Sequence, residues 1–153
     1  MSTYLADSEH VFRVFHLCAG IGFGALGFRR GHARVGRASA RFETIGAVDV
    51  DPVACADFER IVGSRCTRLD LFSVEQFLEF HGRAPPDDWR EATADDLRAA
   101  AGGRRPDVVF WSPPCKGLSS LQTGERAASP RYQALNELVV RALDLSADLG
   151  AST

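Results

Sequence analysis

The sequence predicts an α/β domain in which about four parallel strands form a sheet with flanking helices. Two observations carry this prediction. Apolar, β-rich runs alternate with segments that begin with helix-capping residues along the whole of the 153-residue chain. There is also no internal repeat or low-complexity tract. The strands are predicted at 11–18, 42–50, 65–71 and 107–111. This alternation is typical of half of a doubly wound sheet.

The first strand runs into a glycine-rich turn, in which Gly22, Gly24 and Gly27 form a Gly-x-Gly-x-x-Gly pattern before a helix. Glycines permit a tight turn and let backbone amides approach a cofactor at a helix N-terminus. Asp49 ends the second strand, where a carboxylate accepts hydrogen bonds from ribose hydroxyls. These features predict a cofactor site but do not choose between NAD and S-adenosylmethionine.

Capping residues define the helices after this turn. Asp51 is a good N-cap followed by Pro52, and the segments beginning at Ser73 and Thr93 each open a helix in the same way. Helices are therefore predicted at 52–61, 73–81, 93–101 and, from apolar spacing, 132–145. Residues 31–41 are predicted to be a loop with scattered arginines.

A cysteine follows the fourth predicted strand, just after the proline pair Pro113-Pro114. Because prolines fix φ and cannot continue a strand ladder, Cys115 is expected on a rigid loop past the carboxyl end of that strand. Ligands bind at this edge of open α/β sheets. Lys116 is the only lysine in the chain and stands where it can lower the thiol pKa. The position predicts a nucleophile; the alternative is an unreactive loop thiol.

Composition narrows the function classes. The formal net charge is −2, so the chain as a whole does not attract nucleic acid. Its four cysteines form no Cys-x-x-Cys pair, which argues against a zinc site, and we expect no metal. Cys18, Cys55 and Cys66 are interpreted as small buried residues. No secretory signal or membrane-length apolar stretch is seen, so a cytoplasmic protein with no membrane association is expected.

Taken together, five segments resemble motifs of the DNA (cytosine-5) methyltransferase family, in family order over roughly residues 11–145. Residues 15–22 resemble its first cofactor motif, and 49–52 its acidic ribose-binding motif. Asp70 stands where the family has an adenine-contacting Asp, although it is equally suited to capping the following turn. Residues 114–119 resemble the catalytic Pro-Cys motif, and 129–136 are similar to the helix after it.

The resemblance implies a Rossmann-like methyltransferase fold with S-adenosylmethionine as cofactor and DNA as partner. It implies that the thiolate of Cys115 adds to ring carbon 6 of a flipped-out cytosine, so that carbon 5 accepts the methyl group. Pro114, Lys116 and Ser119 would shape the loop around the base. The implied cofactor contacts are Phe15, Ala19, Gly20, Ile21, Gly22, Gly24, Asp49, Val50, Asp70, Leu71 and Pro113.

The sequence also departs from the family pattern. His16 stands in place of the usual Asp, Phe23 interrupts the expected glycine pair, and Lys116 replaces Gln. The family's Glu-Asn-Val motif, Arg-x-Arg motif and target-recognition domain are not found in the 153 residues. Loss of the Glu that polarises the cytosine should cost about 10²–10³ in rate. We therefore expect one partial catalytic domain over residues 1–153 that is inactive alone, and a second chain that supplies the missing parts is one candidate partner.

Two other functions remain open on the sequence. The Gly-x-Gly-x-x-Gly pattern and Asp49 also fit half of an NAD-dependent oxidoreductase, which leaves Cys115 and its prolines unexplained. A non-catalytic remnant, or a subunit of a split methyltransferase, is the other alternative.

Overall fold

In a computed structural model, described over residues 8–114 and 129–150, a mixed and mostly parallel sheet is flanked by helices. Its strands are β1 (Ser8–Leu17), β2 (His32–Val35), β3 (Ala38–Asp49), β4 (Cys66–Arg68) and β5 (Val108–Trp111). The helices in these stretches are α1 (Phe23–Arg30), α2 (Pro52–Val62), α3 (Val74–His81), α4 (Ala94–Ala100) and α5 (Pro130–Ala147). The predicted α/β class is confirmed. None of the described helices is long and apolar enough to cross a membrane.

The four parallel strands lie in the order β4-β3-β1-β5, so β3 and β1 form the centre. Arg13 of β1 ties this centre to β5: its backbone N–H and guanidinium all donate to the Asp107 carboxylate, at 2.8 to 2.9 Å. These hydrogen bonds lower the pKa of Asp107 to about 2. The pair fixes β5 in register beside β1 and so aligns the carboxyl ends of both strands.

The prediction of a loop at 31–41 is wrong. Residues 32–35 form β2, which pairs antiparallel with the beginning of β3 through a two-residue turn at Gly36 and Arg37. Gly36 has a φ of 61°, which tight hairpin turns require and glycine tolerates. The sheet therefore has five strands rather than about four, and one of them is antiparallel. Polar and apolar residues do alternate through β2, but the exposed arginines at 34, 37 and 41 favour a loop.

Two apolar clusters cover the two faces of the sheet. Along β1 successive side chains alternate, so Phe15 and Leu17 face one side and His16 the other. The larger cluster joins the sheet to α3, α4 and α5, and the smaller one joins it to α1 and α2. The result is a three-layer arrangement in which the sheet lies between two layers of helices.

The predicted helix starts are confirmed. The Asp51 carboxylate accepts a hydrogen bond from the Val53 N–H at 2.8 Å, and Ser73 and Thr93 each form a capping box. The strand predicted at 65–71, which is β4, is shorter than predicted. It ends at Arg68 because the Asp70 carboxylate accepts from the Phe72 N–H at 3.0 Å and turns the chain away from the sheet.

Candidate functional site

A cavity of about 620 Å³ opens at the carboxyl ends of the parallel strands, between the sheet and helices α3 and α5. Its size lies in the range of small-molecule sites. The lining consists of Cys18, Gly20, Asp49, Val50, Leu69, Asp70, Leu71, Phe72, Phe80, His81, Ser112, Pro114, Arg131, Tyr132, Leu135 and Leu138. The cavity therefore combines segments that follow four different strands.

The turn after β1 forms one wall of the cavity. Cys18 and Gly20 both have positive φ, 50° and 53°, and the Ala19 N–H donates to the Val48 carbonyl at 3.1 Å. A Cβ added at Gly20 would meet no atom within 4 Å. Gly20 thus presents bare backbone to open space, which is what a closely approaching ligand requires.

Gly22 and Gly24 are glycines because neighbouring side chains pack closely against them. A Cβ at Gly22 would lie 2.5 Å from Cγ2 of Val62, and one at Gly24 would lie 2.6 Å from Cε1 of Phe110. Neither glycine lines the cavity, and a Cβ at Gly27 would meet nothing. Contact of α1 with α2 and with the sheet accounts for the first two glycines of the Gly-x-Gly-x-x-Gly pattern, on which the NAD alternative depends.

Asp49 links the end of β3 to the turn after β1. Its Oδ2 accepts a hydrogen bond from the Gly20 N–H at 2.8 Å, and its Oδ1 accepts from the Asp51 N–H at 3.0 Å. A carboxylate has about four acceptor positions, so each oxygen retains a lone pair for a further donor. The side chain is half-buried and lines the cavity, where a ligand hydroxyl can reach it.

Asp70 caps the turn after β4, one of the two roles that its position in the sequence allows. Its Oδ1 caps the turn by accepting from the Phe72 N–H, and its Oδ2 accepts from the indole N–H of Trp89 at 3.2 Å. The carboxylate also lines the cavity. The contact with Trp89 was not predicted, because the two residues are 19 positions apart and no motif connects them.

Cys18 is half-buried rather than fully buried as predicted: it packs against the larger core cluster and also borders the cavity. Burial, with smaller contributions from the charges of Asp49 and Asp70, raises its pKa to about 12. The thiol is therefore protonated at neutral pH and is a poor nucleophile. Cys55 and Cys66 are buried as predicted, with their Sγ atoms 3.0 Å apart, and burial raises the pKa of each.

Several predicted cofactor residues lie away from the cavity. Phe15 is fully buried in the larger core cluster, Ala19 packs against the smaller one, and the exposed Ile21 and half-buried Pro113 do not line the opening. Their backbone still belongs to the segments that form its walls. Of the residues predicted to contact the cofactor, those that line the cavity are Gly20, Asp49, Val50, Asp70 and Leu71. Pro114, predicted for the loop around the base, lines it as well.

His16 belongs to the core. Its ring lies among Phe28, Phe58 and Phe110 at centroid distances of 5.7 to 6.1 Å. Burial lowers its pKa to about 4, so the ring is neutral at pH 7. It faces α1 and α2 and takes no part in the cavity.

Helices α3 and α5 contribute a wall that was not predicted. The guanidinium of Arg131 lies over the Phe80 ring, 4.7 Å from its centroid, and Tyr132 and Leu135 continue the same surface. The motif resemblance at residues 129–136 was the available signal for the α5 side. The sequence gives no such signal for the α3 side, since Phe80 and His81 fit an ordinary amphipathic helix.

Cys115, Lys116 and Ser119 lie outside the described residues. Within residues 8–114 and 129–150, no group of three His, Cys, Asp or Glu side chains is arranged to hold a metal ion. Comparison with protein-family models, curated proteins and solved structures finds no match to this chain.

Proposed function

We propose that this chain is the cofactor-binding and nucleophile-bearing part of a DNA (cytosine-5) methyltransferase with a Rossmann-like fold. One observation carries the proposal. A single cavity at the carboxyl edge of the sheet is lined by Gly20, Asp49 and Asp70, and also by Pro114, the residue before Cys115. The motifs that suggest a cofactor and the motif that suggests a nucleophile thus converge on one opening.

The order of the strands supports a Rossmann-like arrangement. The chain runs from β1 outward to β3 and β4, then returns to the other side of β1 to form β5. Ligands of open α/β sheets bind at the carboxyl ends of the strands where the order reverses in this way. Here that point lies between β1 and β5, and the segments leaving these strands contribute Gly20 and Pro114 to the cavity.

The hydrogen-bond acceptors of the cavity fit S-adenosylmethionine. Its ribose hydroxyls and adenine amino group are hydrogen-bond donors, and Asp49 and Asp70 are acceptors with lone pairs left over. Val50 and Leu71 supply apolar surface beside them. When bound, the cofactor supplies a methyl group carried on a positive sulfonium, and two carboxylates in the same cavity favour a cation.

Cys115 is the proposed nucleophile. Pro114, the residue that precedes it in the sequence, lines the cavity. Its thiolate would form a bond to ring carbon 6 of a flipped-out cytosine, which makes carbon 5 nucleophilic. After carbon 5 gains a methyl group, loss of its proton breaks the sulfur–carbon bond. Cys18 is excluded from this role because its thiol remains protonated.

Titration of the full chain with S-adenosylmethionine and with NAD tests the cofactor assignment. Isothermal titration calorimetry gives the affinities. Binding of S-adenosylmethionine without NAD would support the proposal. Binding of NAD alone would favour an oxidoreductase, and binding of neither would favour a non-catalytic remnant.

Duplex DNA that contains 5-fluorocytosine tests the nucleophile, because the fluorine blocks release of the covalent adduct. The expectation that residues 1–153 are inactive alone predicts no adduct in the presence of S-adenosylmethionine. An adduct that disappears in Cys115→Ser would overturn this expectation while supporting Cys115 as the nucleophile. An adduct that persists in Cys115→Ser would remove Cys115 from the mechanism.

A further inference from the structure

Two cysteine side chains meet on the face of the sheet that α1 and α2 cover. Cys55 lies on α2 and Cys66 on β4, and their Sγ atoms are 3.0 Å apart. Both residues are reduced and are buried in the smaller apolar cluster. Neither of them lines the cavity. The pair is therefore a feature that the proposed methyl transfer does not use.

The hydrogen bonds of the two thiols account for both protons. The Cys66 thiol donates to the Cys55 Sγ, and the Cys55 thiol donates to the Asp49 carbonyl at 3.6 Å. The S–S length of a disulfide bond is about 2.05 Å, so the sulfurs need to approach by only about 1 Å. The Asp49 carbonyl also accepts from the Leu69 N–H at 2.9 Å, so it keeps a donor when the thiol proton is lost.

The connection between α2 and β4 holds the two cysteines in this position. Gly63 caps α2 with a φ of 78°, and its N–H donates to the Glu59 carbonyl. The Glu59 carboxylate accepts from the Cys66 N–H at 3.0 Å, and the Ser64 hydroxyl donates to the Thr44 carbonyl at 3.3 Å. Because this connection is fixed at both ends, each thiol meets the other at a high effective concentration, which favours a bond between them.

We propose that Cys55 and Cys66 form a reversible disulfide bond, so that the stability of this domain depends on the thiol redox state of its surroundings. The oxidant is a low-molecular-weight disulfide such as oxidised glutathione. One cysteine thiolate attacks it, forms a mixed disulfide and releases one glutathione; the second cysteine then attacks the mixed disulfide and releases the other. Two cysteine thiols are oxidised, one glutathione disulfide is reduced, and the two thiol protons end on the released glutathione molecules.

Burial controls the rate of this reaction, whereas the short distance between the sulfurs controls its equilibrium. Burial raises the pKa of both thiols, so little thiolate is present in the folded protein and exchange requires a transient opening. Once formed, the bond closes a loop between α2 and β4 and lowers the entropy of the unfolded chain. The oxidised protein should therefore unfold at a temperature about 5–10 °C higher than the reduced protein.

Equilibration of the full chain with reduced and oxidised glutathione, in urea just below the unfolding transition, tests the proposal. The folded protein opens often under these conditions, so buried thiols can exchange and a lack of reaction is not caused by burial. After alkylation of the remaining thiols, digestion with trypsin should release residues 42–60 linked to residues 66–68. Reduction with a phosphine should separate the two peptides and abolish the rise in unfolding temperature.

Cys66→Ser removes one of the two thiols and should give neither the linked peptides nor a rise in unfolding temperature on oxidation. Cys18→Ser is the matched control, since it removes a cysteine that packs against the other apolar cluster, and it should retain both. Absence of the linked peptides from the wild-type protein would overturn the proposal. So would a bond from either cysteine to Cys18 or Cys115 in their place, or an oxidised form that unfolds at a lower temperature. These measurements involve no cofactor, so they stand independently of the proposed methyl transfer.

Discussion

The Asp49 carboxylate and the Gly20 N–H are joined by a 2.8 Å hydrogen bond that connects the end of β3 to the turn after β1. The same carboxylate accepts from the Asp51 N–H and thereby fixes the start of α2. One side chain thus sets the shape of the cavity wall and also offers its remaining lone pairs to a ligand. Neutralising this carboxylate should therefore affect both the shape of the cavity wall and the binding of a ligand.

Asp49→Asn should weaken binding of S-adenosylmethionine by about 10- to 100-fold, because hydrogen bonds to a charged acceptor are worth about 1.5–3 kcal/mol. Asp51→Asn is the matched control: it makes the same charge change two residues away, on a side chain that caps α2 through the Val53 N–H. Calorimetry should give wild-type affinity for this control. Equal losses in the two variants would indicate a general electrostatic effect and not a contact at Asp49.

Gly24→Ala should destabilise the fold by about 1–3 kcal/mol, because the added methyl overlaps the Phe110 ring in a packed interface. Gly27→Ala, in the same helix but facing open space, should stabilise it by about 0.5–1 kcal/mol through higher helix propensity. Urea unfolding monitored by circular dichroism measures both. A Gly24→Ala variant that loses cofactor affinity but not stability would contradict the packing role.

The stability of the protein should fall as the pH decreases from about 6.5 to about 4. Burial lowers the pKa of His16 to about 4 from 6.5, so in this window the unfolded chain binds a proton that the folded chain excludes. The loss should be on the order of 2–3 kcal/mol. Unfolding free energies measured by urea denaturation across this pH range should lose most of the slope in His16→Leu.

Thr44→Val is the control for this experiment. Its hydroxyl lies 3.3 Å from the His16 Nε2, but burial is the cause of the low pKa. The slope should therefore persist when the hydroxyl is removed. A slope that disappears in Thr44→Val would assign the effect to the hydrogen bond.

Alkylation with iodoacetamide at about pH 8 should modify Cys115 at least about a hundredfold faster than the other three cysteines. Burial raises the pKa of Cys18 to about 12, and it raises the pKa of Cys55 and Cys66 as well, so little thiolate is present at these sites. Mass spectrometry of peptides from briefly treated protein locates the label. Comparable labelling of Cys18 would contradict its assignment as a protonated wall residue.

Local sequence signals predicted the helix starts because their physical cause is local. The Asp51 cap, and the capping boxes at Ser73 and Thr93, each involve groups no more than three residues apart. The hairpin at 32–41 was missed, since its strand pattern is short and its exposed arginines favour a loop. Only pairing with the rest of β3 makes β2 a strand.

The amino-acid sequence by itself determined the α/β class, the alternation of the four parallel strands with helices, and the positions of Asp49, Asp70 and Pro114 at or just past the carboxyl ends of strands. Tertiary structure decided which strands are neighbours, that Gly24 packs against Phe110, and that α3 and α5 close the cavity. The physical reason is the range of the contacts. Capping and periodicity act within a turn or two of chain, whereas the cavity forms only when segments up to about a hundred residues apart pack together.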